Sequence, residues 1–297
     1  MVNVKIVKWE KAKEVICYTV LSLALIFYLL PLYWLIITSF KTPSEVFTSP
    51  PVWVPSKLIL DNYLLILGYV RGVWAEAGAI YRYQSIIPFL LNSTIVSSLT
   101  TIVSVLLGAL LAYSIARLKF GGKSLFTWLL SLRMIPPAVI VVPIFIIFYY
   151  IRLVNTWWAL ILAYLITNIP FATLVLVGFF NDIPKELDEA ALIDGCSRIS
   201  SFLRIVLPLS LPGLVAASII CFITCWNELL LATALTTTQA AQTLPVYTTV
   251  FTSQVERGTT WGPAAAGGVI AIIPMVIFSF YIQKYLVRGL TMGAIRG

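Results

Sequence analysis

The sequence predicts an all-α polytopic membrane protein with six transmembrane helices, and three observations carry that expectation. The composition is 60% apolar and 11% charged over 297 residues, with a mean hydropathy of +0.97, which takes the chain out of the soluble class. Six stretches, approximately 15–39, 86–116, 124–150, 157–180, 209–235 and 263–285, each hold the ~20 mostly apolar residues that a helix needs to cross the hydrocarbon. Lysine and arginine are divided unevenly between alternate connecting segments. The expected organisation is a cytoplasmic N-terminus over 1–14 and one transmembrane domain over 15–297.

The first span follows Lys5, Lys8, Lys11 and Lys13, as a signal peptide would. Val15 to Phe40 nevertheless runs 26 positions without a charge and meets no small-residue cleavage site, so a retained span is expected. With the N-terminus inside, the inner segments hold thirteen Lys and Arg and the outer segments six, with Arg133 left inside a span. The positive-inside rule then places both termini and the 181–208 loop in the cytoplasm. The second span pairs Gly108 with Ala112, and the sixth opens on small residues from Ala264 to Gly268, which suits close helix approach. Pro136, Pro137, Pro143, Pro170 and Pro274 interrupt backbone ladders that neighbouring helices must shelter. Trp157 and Trp158 open the fourth span as an interfacial aromatic belt.

Several function classes fall away. The net charge of +8 is scattered between apolar runs, with no basic face for nucleic acid. There is no histidine and no persuasive Ser/Lys or Asp/Asp constellation for catalysis. Cys17, Cys196, Cys221 and Cys225 form no CxxC and read as small packing residues. Gly121-Gly122-Lys123-Ser124 fails as a phosphate loop, because Arg117 stands where that motif needs glycine. Asn92-Ser93-Thr94 matches a glycosylation acceptor but lies at the edge of a span and is set aside.

The densest chemistry lies in the 181–208 loop, where Asp182, Glu186, Asp188, Glu189 and Asp194 gather five of the twelve acidic residues. Asp182 is expected to cap a helix of about ten residues with Pro184 in its first turn, ended by Gly195 in the left-handed region. Glu186, Asp188 and Glu189 ring Ala190 and Ala191, a pattern suited to entering a groove with basic walls; a solvated connector fits the same residues. Ser197 is expected to cap a second helix whose face of Ile199, Phe202, Leu203, Val206 and Leu207 can lie along the membrane surface, opposite Arg198, Ser201 and Arg204.

Glu189-Ala190-Ala191, Gly195 and Ile205-Val206-Leu207-Pro208 resemble the permease loop motif of ABC importers. The resemblance to the carbohydrate-uptake branch extends along nearly the whole chain. It runs through Ser39 to Phe47, Pro50 to Pro55, Asn62-Tyr63, Ala112-Tyr113, Ala116-Arg117, Phe120 to Lys123, Met134 to Pro136, Pro143, Trp226-Asn227-Glu228, Thr243 to Pro245 and the tail Gln283 to Gly297. The outer segment Gly68 to Gln84, with Trp74, Glu76 and Arg82, is longer than that branch leads one to expect.

That resemblance implies a type I ABC importer permease with a cytoplasmic coupling helix, in the cell membrane of a prokaryote. Glu186, Asp188, Glu189, Ala190, Ala191, Asp194 and Gly195 would then meet a cytosolic ATP-binding subunit, which holds the ATP and Mg. This chain would carry no cofactor or metal of its own. A second permease subunit, expected as a heterodimer partner, and an extracytoplasmic solute-binding protein would complete the assembly, and a sugar or polyol would cross by alternating access. Arg133, Trp226, Asn227 and Glu228 are the candidates for the solute path, since ionisable groups within spans tend to face a cavity or a partner. An Arg133–Glu228 ion pair that only orients helices is the other reading of those residues. A stand-alone carrier is the competing class; it commonly shows internal repeats, and none is evident here.

Overall fold

The computed structural model of the chain describes the backbone of residues 2–69, 84–252 and 261–293, and the side chains of 13–69, 84–249, 251 and 261–280. All regular structure among those residues is helical. Four helices are long and apolar enough to cross a membrane, and two sharply bent helix pairs raise the number to six. The bent pairs are Gly122–Met134 with Pro137–Tyr150, at 92°, and Arg198–Leu209 with Leu211–Trp226, at 76°; the second overlaps the expected 209–235 span only in part. The expectations on Arg71, Trp74, Glu76, Arg82, Arg257 and Arg296 lie outside the described residues, as do the side chains of the tail from Gln283.

The helices sort into two compact units. The first comprises Met1–Ser85 and Phe251–Ile270. Its α1 (Val2–Thr38) exposes apolar side chains such as Val15, Phe27 and Tyr28, a surface that only hydrocarbon or a neighbouring chain satisfies. The short α2 (Pro43–Val46) is opened by a capping box between Thr42 and Glu45. The Ser56 hydroxyl and amide donate to the same carboxylate, which with Thr42 holds Glu45 down to about 2. Next to it Lys41 is buried with its ammonium 3.8 Å from the centre of the Trp34 ring, and desolvation lowers its pKa against the opposing pull of Glu45.

In α3 (Asp61–Ile66), Asn62 is 0% exposed and its amide donates to the carbonyls of Ser39 and Lys41 at 2.9 Å each. A β-carbon on Gly262, in the first turn of α13 (Trp261–Gly293), would stand 2.7 Å from that amide. Asn62 thus ties three chain segments of this unit together, which gives the Asn62-Tyr63 pair a packing role.

The second unit comprises Ile86–Val250 and Ala271–Gly297. It contains α4 (Ile86–Leu118), α5 (Gly122–Met134), α6 (Pro137–Tyr150), α7 (Trp157–Asp182), α8 (Lys185–Ile193), α9 (Arg198–Leu209), α10 (Leu211–Trp226) and α11 (Leu230–Leu235), with α12 (Leu244–Thr252) following. The long helices α4 and α7 pack on each other and on α10. Gly108 sets the approach of α4 and α7, because a β-carbon there would lie 2.7 Å from the Ala172 β-carbon. One core cluster runs from Val105 and Ala112 of α4 through Leu176 and Phe180 of α7 to Phe202, Val206 and Cys221. A second, toward the other end of the bundle, joins Val96, Phe148, Leu160, Tyr164, Cys225 and Leu235.

Two expected spans are corrected. The stretch 124–150 is broken between α5 and α6 by a bend of 92°. Ile135 precedes Pro136 and Pro136 precedes Pro137, so both residues are driven to extended backbone, with ψ of 121° and 132°. The stretch 209–235 stops at Trp226 and resumes at Leu230. Here the Glu228 carboxylate accepts the amides of Leu231 and Ala232 at 2.9 and 3.0 Å, and so caps the resumed helix α11.

Asn92 has a structural task. Its amide donates to the carbonyls of Gln239 and Gln242 at 2.9 and 2.8 Å, and its oxygen accepts the Trp157 indole at 3.0 Å. Ser93 accepts the Leu244 amide at 2.7 Å, and Asn155 accepts those of Thr237 and Thr238. Three polar side chains from two places in the sequence thus satisfy the backbone between α11 and α12, which no helix ladder serves.

Candidate functional site

The loop between α7 and α10 is built on two joints. Asp182, expected as a cap, is instead the last residue of α7; Ile183 and Pro184 are extended, and α8 begins only at Lys185 with no side-chain cap. The cause is again the residue before proline, which the Pro184 ring keeps out of the helical region. At the other end Gly195 has φ +85°, and its amide and that of Cys196 bond to the carbonyls of Leu192 and Ala191 at 3.1 and 2.9 Å. This is the Schellman termination that the glycine predicts.

Between those joints α8 has two faces. Glu186, Glu189, Ala190 and Asp194 are exposed, while Asp188 is 8% and Ala191 5% exposed. The expected ring of three carboxylates around two outward alanines is therefore corrected. Asp188 and Ala191 lie three residues apart on the inner face, and only Ala190 of the alanine pair faces out.

Asp188 turns inward to meet Arg117 at the end of α4. Arg117 Nε lies 2.8 Å from Asp188 Oδ2, with side chains only 3% and 12% exposed. Arg117 Nη2 also donates to the Ile183 carbonyl at 2.9 Å, and the Ser201 hydroxyl donates to Asp188 Oδ1 at 2.5 Å. One turn earlier on α4, Tyr113 donates to the Arg198 carbonyl at 3.3 Å and packs its ring 4.9 Å from that of Phe202. Removing one partner of such a buried pair costs about 3–5 kcal/mol, because the other charge is left uncompensated. Arg117 Nε and Nη1 and Asp188 Oδ2 are buried with no hydrogen-bond partner among the described residues, so the guanidinium is held by the opposite charge of Asp188 and by the Nη2 bond to Ile183.

Ser197 caps α9 as expected, accepting the Ser200 amide at 3.2 Å. The packed face differs from the expected one: Ser201, Phe202 and Val206 are buried, whereas Ile199 and Leu203 are 72% and 52% exposed. A π-helical turn over Phe202–Val206 widens the helix and shifts the register away from a regular 3.6-residue period.

The solute-path candidates are not drawn together. Arg133 sits in the last turn of α5 with its guanidinium 4.9 Å from the Phe171 ring centre, a cation placed at the negative end of a helix. Glu228 commits its carboxylate to the α11 amides. The two form no ion pair with each other. Trp226 is buried against Phe222, with ring centres 5.6 Å apart, whereas Asn227 is exposed and donates to the Ile223 carbonyl at 2.9 Å.

Reading the loop in sequence missed Tyr113, Arg117 and Ser201 as members of this cluster. A signal was available: Arg117 follows directly on an uncharged span, and Asp188 shares a helical face with Ala191 and Leu192. An apolar face that carries one carboxylate needs a buried cation opposite it.

Four to six helices or bent helix pairs long and apolar enough to cross a membrane, with a short helix set out on one connecting loop, define a multi-pass membrane subunit. The family described as binding-protein-dependent transport system inner membrane component matches residues 104–292, and the chain belongs to that family. It is a permease subunit, not an enzyme. Curated relatives include the trehalose transport system permease protein SugB of Mycobacterium tuberculosis, 38% identical over 91% of this chain and 93% of that protein. The trehalose/maltose transport system permease protein MalG of Thermococcus litoralis is 35% identical over 97% of this chain and 99% of its own length. Among solved structures, a bacterial ABC transporter involved in import of the acidic polysaccharide alginate shares the fold, with a TM-score of 0.65 at 18% identity, covering 93% of this chain and 96% of that one.

Proposed function

We propose that this chain is one of the two permease subunits of an ATP-driven importer for a disaccharide or related carbohydrate, and that α8 receives the stroke of a cytosolic ATP-hydrolysing subunit. The observation that carries the reading is the two-faced α8, gripped by α4 on one side and offering Glu186, Glu189 and Ala190 on the other. The relatives named for trehalose and for trehalose/maltose support the solute class. ATP and Mg belong to the ATPase partner, and an extracytoplasmic binding protein delivers the solute. Both termini and α8 lie in the cytoplasm, as the lysine and arginine distribution favours.

Moving a bundle from a 1:99 to a 99:1 balance of outward and inward states takes about 5.5 kcal/mol, which an exposed acidic helix does not generate alone. The energy enters through docking. Of the solute-path candidates, Arg133 and Asn227 are the two whose exposure suits contact with a hydroxyl-rich solute. Glu228 and Trp226 act behind them by fixing the break after α10.

The test is uptake into proteoliposomes that hold this permease with its second permease and ATPase, supplied with the binding protein and a panel of radiolabelled trehalose, maltose and diacetylchitobiose. ATP-dependent uptake of one panel member is expected. Equal uptake by this chain without the ATPase would establish a stand-alone carrier instead.

A further inference from the structure

We infer that Arg117 and Tyr113 are positioning residues for energy coupling: one turn apart on α4, they clamp both arms of the loop, so that displacement of α8 becomes displacement of α4. The inference rests on α8 being the docking element and adds the element that receives its motion.

The mechanical problem is set by the joints. Helix α8 has nine residues and is held in the chain by extended Ile183 and Pro184 on one side and by Gly195 at φ +85° on the other. A short rod on two such joints, pushed on its exposed face, pivots unless its opposite face is gripped. Ala191 packs on that face without direction, because dispersion contacts tolerate sliding. Charge holds Asp188 against Arg117 Nε at 2.8 Å, and direction comes from the hydrogen bond that Ser201 donates to Asp188 Oδ1 at 2.5 Å. The same guanidinium holds the Ile183 carbonyl at 2.9 Å, so it fixes both the entry joint and the middle of the rod.

The other arm is held from the same helix. Tyr113 reaches the Arg198 carbonyl at the start of α9, and its ring meets Phe202. Residues four apart share one helix face, so the two side chains form a jaw on α4 with one arm of the loop against each. Helix α4 runs 33 residues and packs along α7 and α10. A push taken up by the jaw is therefore delivered to a long helix at the centre of this unit. Removing the charges while keeping the volume leaves the contact and takes away its direction, which separates positioning from mere packing. Hydrophobic replacement of both partners of a buried ion pair is often neutral for stability.

The test is the number of solute molecules taken up per ATP hydrolysed, in proteoliposomes of the complete transporter with its binding protein. The probe is radiolabelled trehalose, or the panel member taken up fastest. The variant Arg117→Met/Asp188→Leu is expected to assemble with its partners and hydrolyse ATP near the parent rate, while uptake per ATP falls about tenfold. An unchanged ratio overturns the inference. Should that variant fail to assemble, Arg117→Lys, which keeps a charge opposite Asp188 but gives up the fork that also holds the Ile183 carbonyl, is read by the same ratio with the same two outcomes. Ala190→Trp, on the exposed face, is measured in parallel and uncouples if α8 docks at all. If Ala190→Trp uncouples and the Arg117/Asp188 variants do not, the clamp is wrong and the docking helix stands. If none of them uncouples, α8 is not the coupling element and both readings fall.

Discussion

Gly195→Val is expected to leave the permease folded in the membrane and ATP hydrolysis by the assembled transporter largely intact, while uptake per ATP drops by about tenfold or more. The cause is backbone conformation alone. A β-carbon at this position would meet nothing within 4 Å, so no neighbour objects to the side chain. At φ +85° a residue with a β-carbon is strained by roughly 1–2 kcal/mol, and a β-branched one fits that region worst. The strain is relieved by opening the two bonds that Gly195 and Cys196 make to Leu192 and Ala191, which unwinds the last turn of α8 and turns Glu189 and Ala190 away from their partner. Asparagine tolerates the left-handed region, so Gly195→Asn should retain most of the coupling. The ratio of labelled disaccharide imported to phosphate released, measured for the parent and both variants, checks this.

Gly108→Val should act on the bundle itself. Its β-carbon would lie 2.7 Å from the Ala172 β-carbon and 3.1 Å from the Thr173 amide nitrogen, and main-chain atoms do not yield as the end of a flexible side chain does. Helices α4 and α7 must separate, and overpacking of that kind costs about 1–3 kcal/mol for each site. A clear fall in the thermal midpoint of the detergent-purified subunit is expected by size-exclusion thermostability, with partial recovery on adding Ala172→Gly. A β-carbon at Gly178, also in α7, would meet nothing within 4 Å, so Gly178→Ala should be neutral or stabilising. Equal losses at Gly108 and Gly178 would contradict the α4–α7 contact as the cause, since helix propensity alone favours both replacements.

Long apolar stretches, charge asymmetry and the Gly195 stop were legible in the sequence because each depends on a local property: hydropathy over one window, or one residue's backbone freedom. The breaks at Ile135 to Pro137 and at Asn227 to Leu229 were harder to see. Hydropathy does not register a proline pair as a bend, and Glu228 reads as a buried charge until the amides of Leu231 and Ala232 are seen to meet it. The face assignment of Asp188 required a partner 71 positions earlier in the chain, Arg117, which the sequence presents only as another basic residue near the end of a span. Likewise Asn92 looked like a modification site because its acceptors, Gln239 and Gln242, are carbonyls of distant backbone.

The most direct check on the account is the accessibility of a single cysteine at position 190, placed by Ala190→Cys in a chain whose Cys17, Cys196, Cys221 and Cys225 are replaced. The reagent is a thiol probe that does not cross membranes, applied to oriented vesicles with the ATPase subunit present or stripped away. Labelling from the cytoplasmic side alone, with strong protection when the ATPase is bound, is the predicted result. Labelling from the outer side, or labelling that the ATPase leaves unchanged, would contradict a docking helix at Lys185–Ile193.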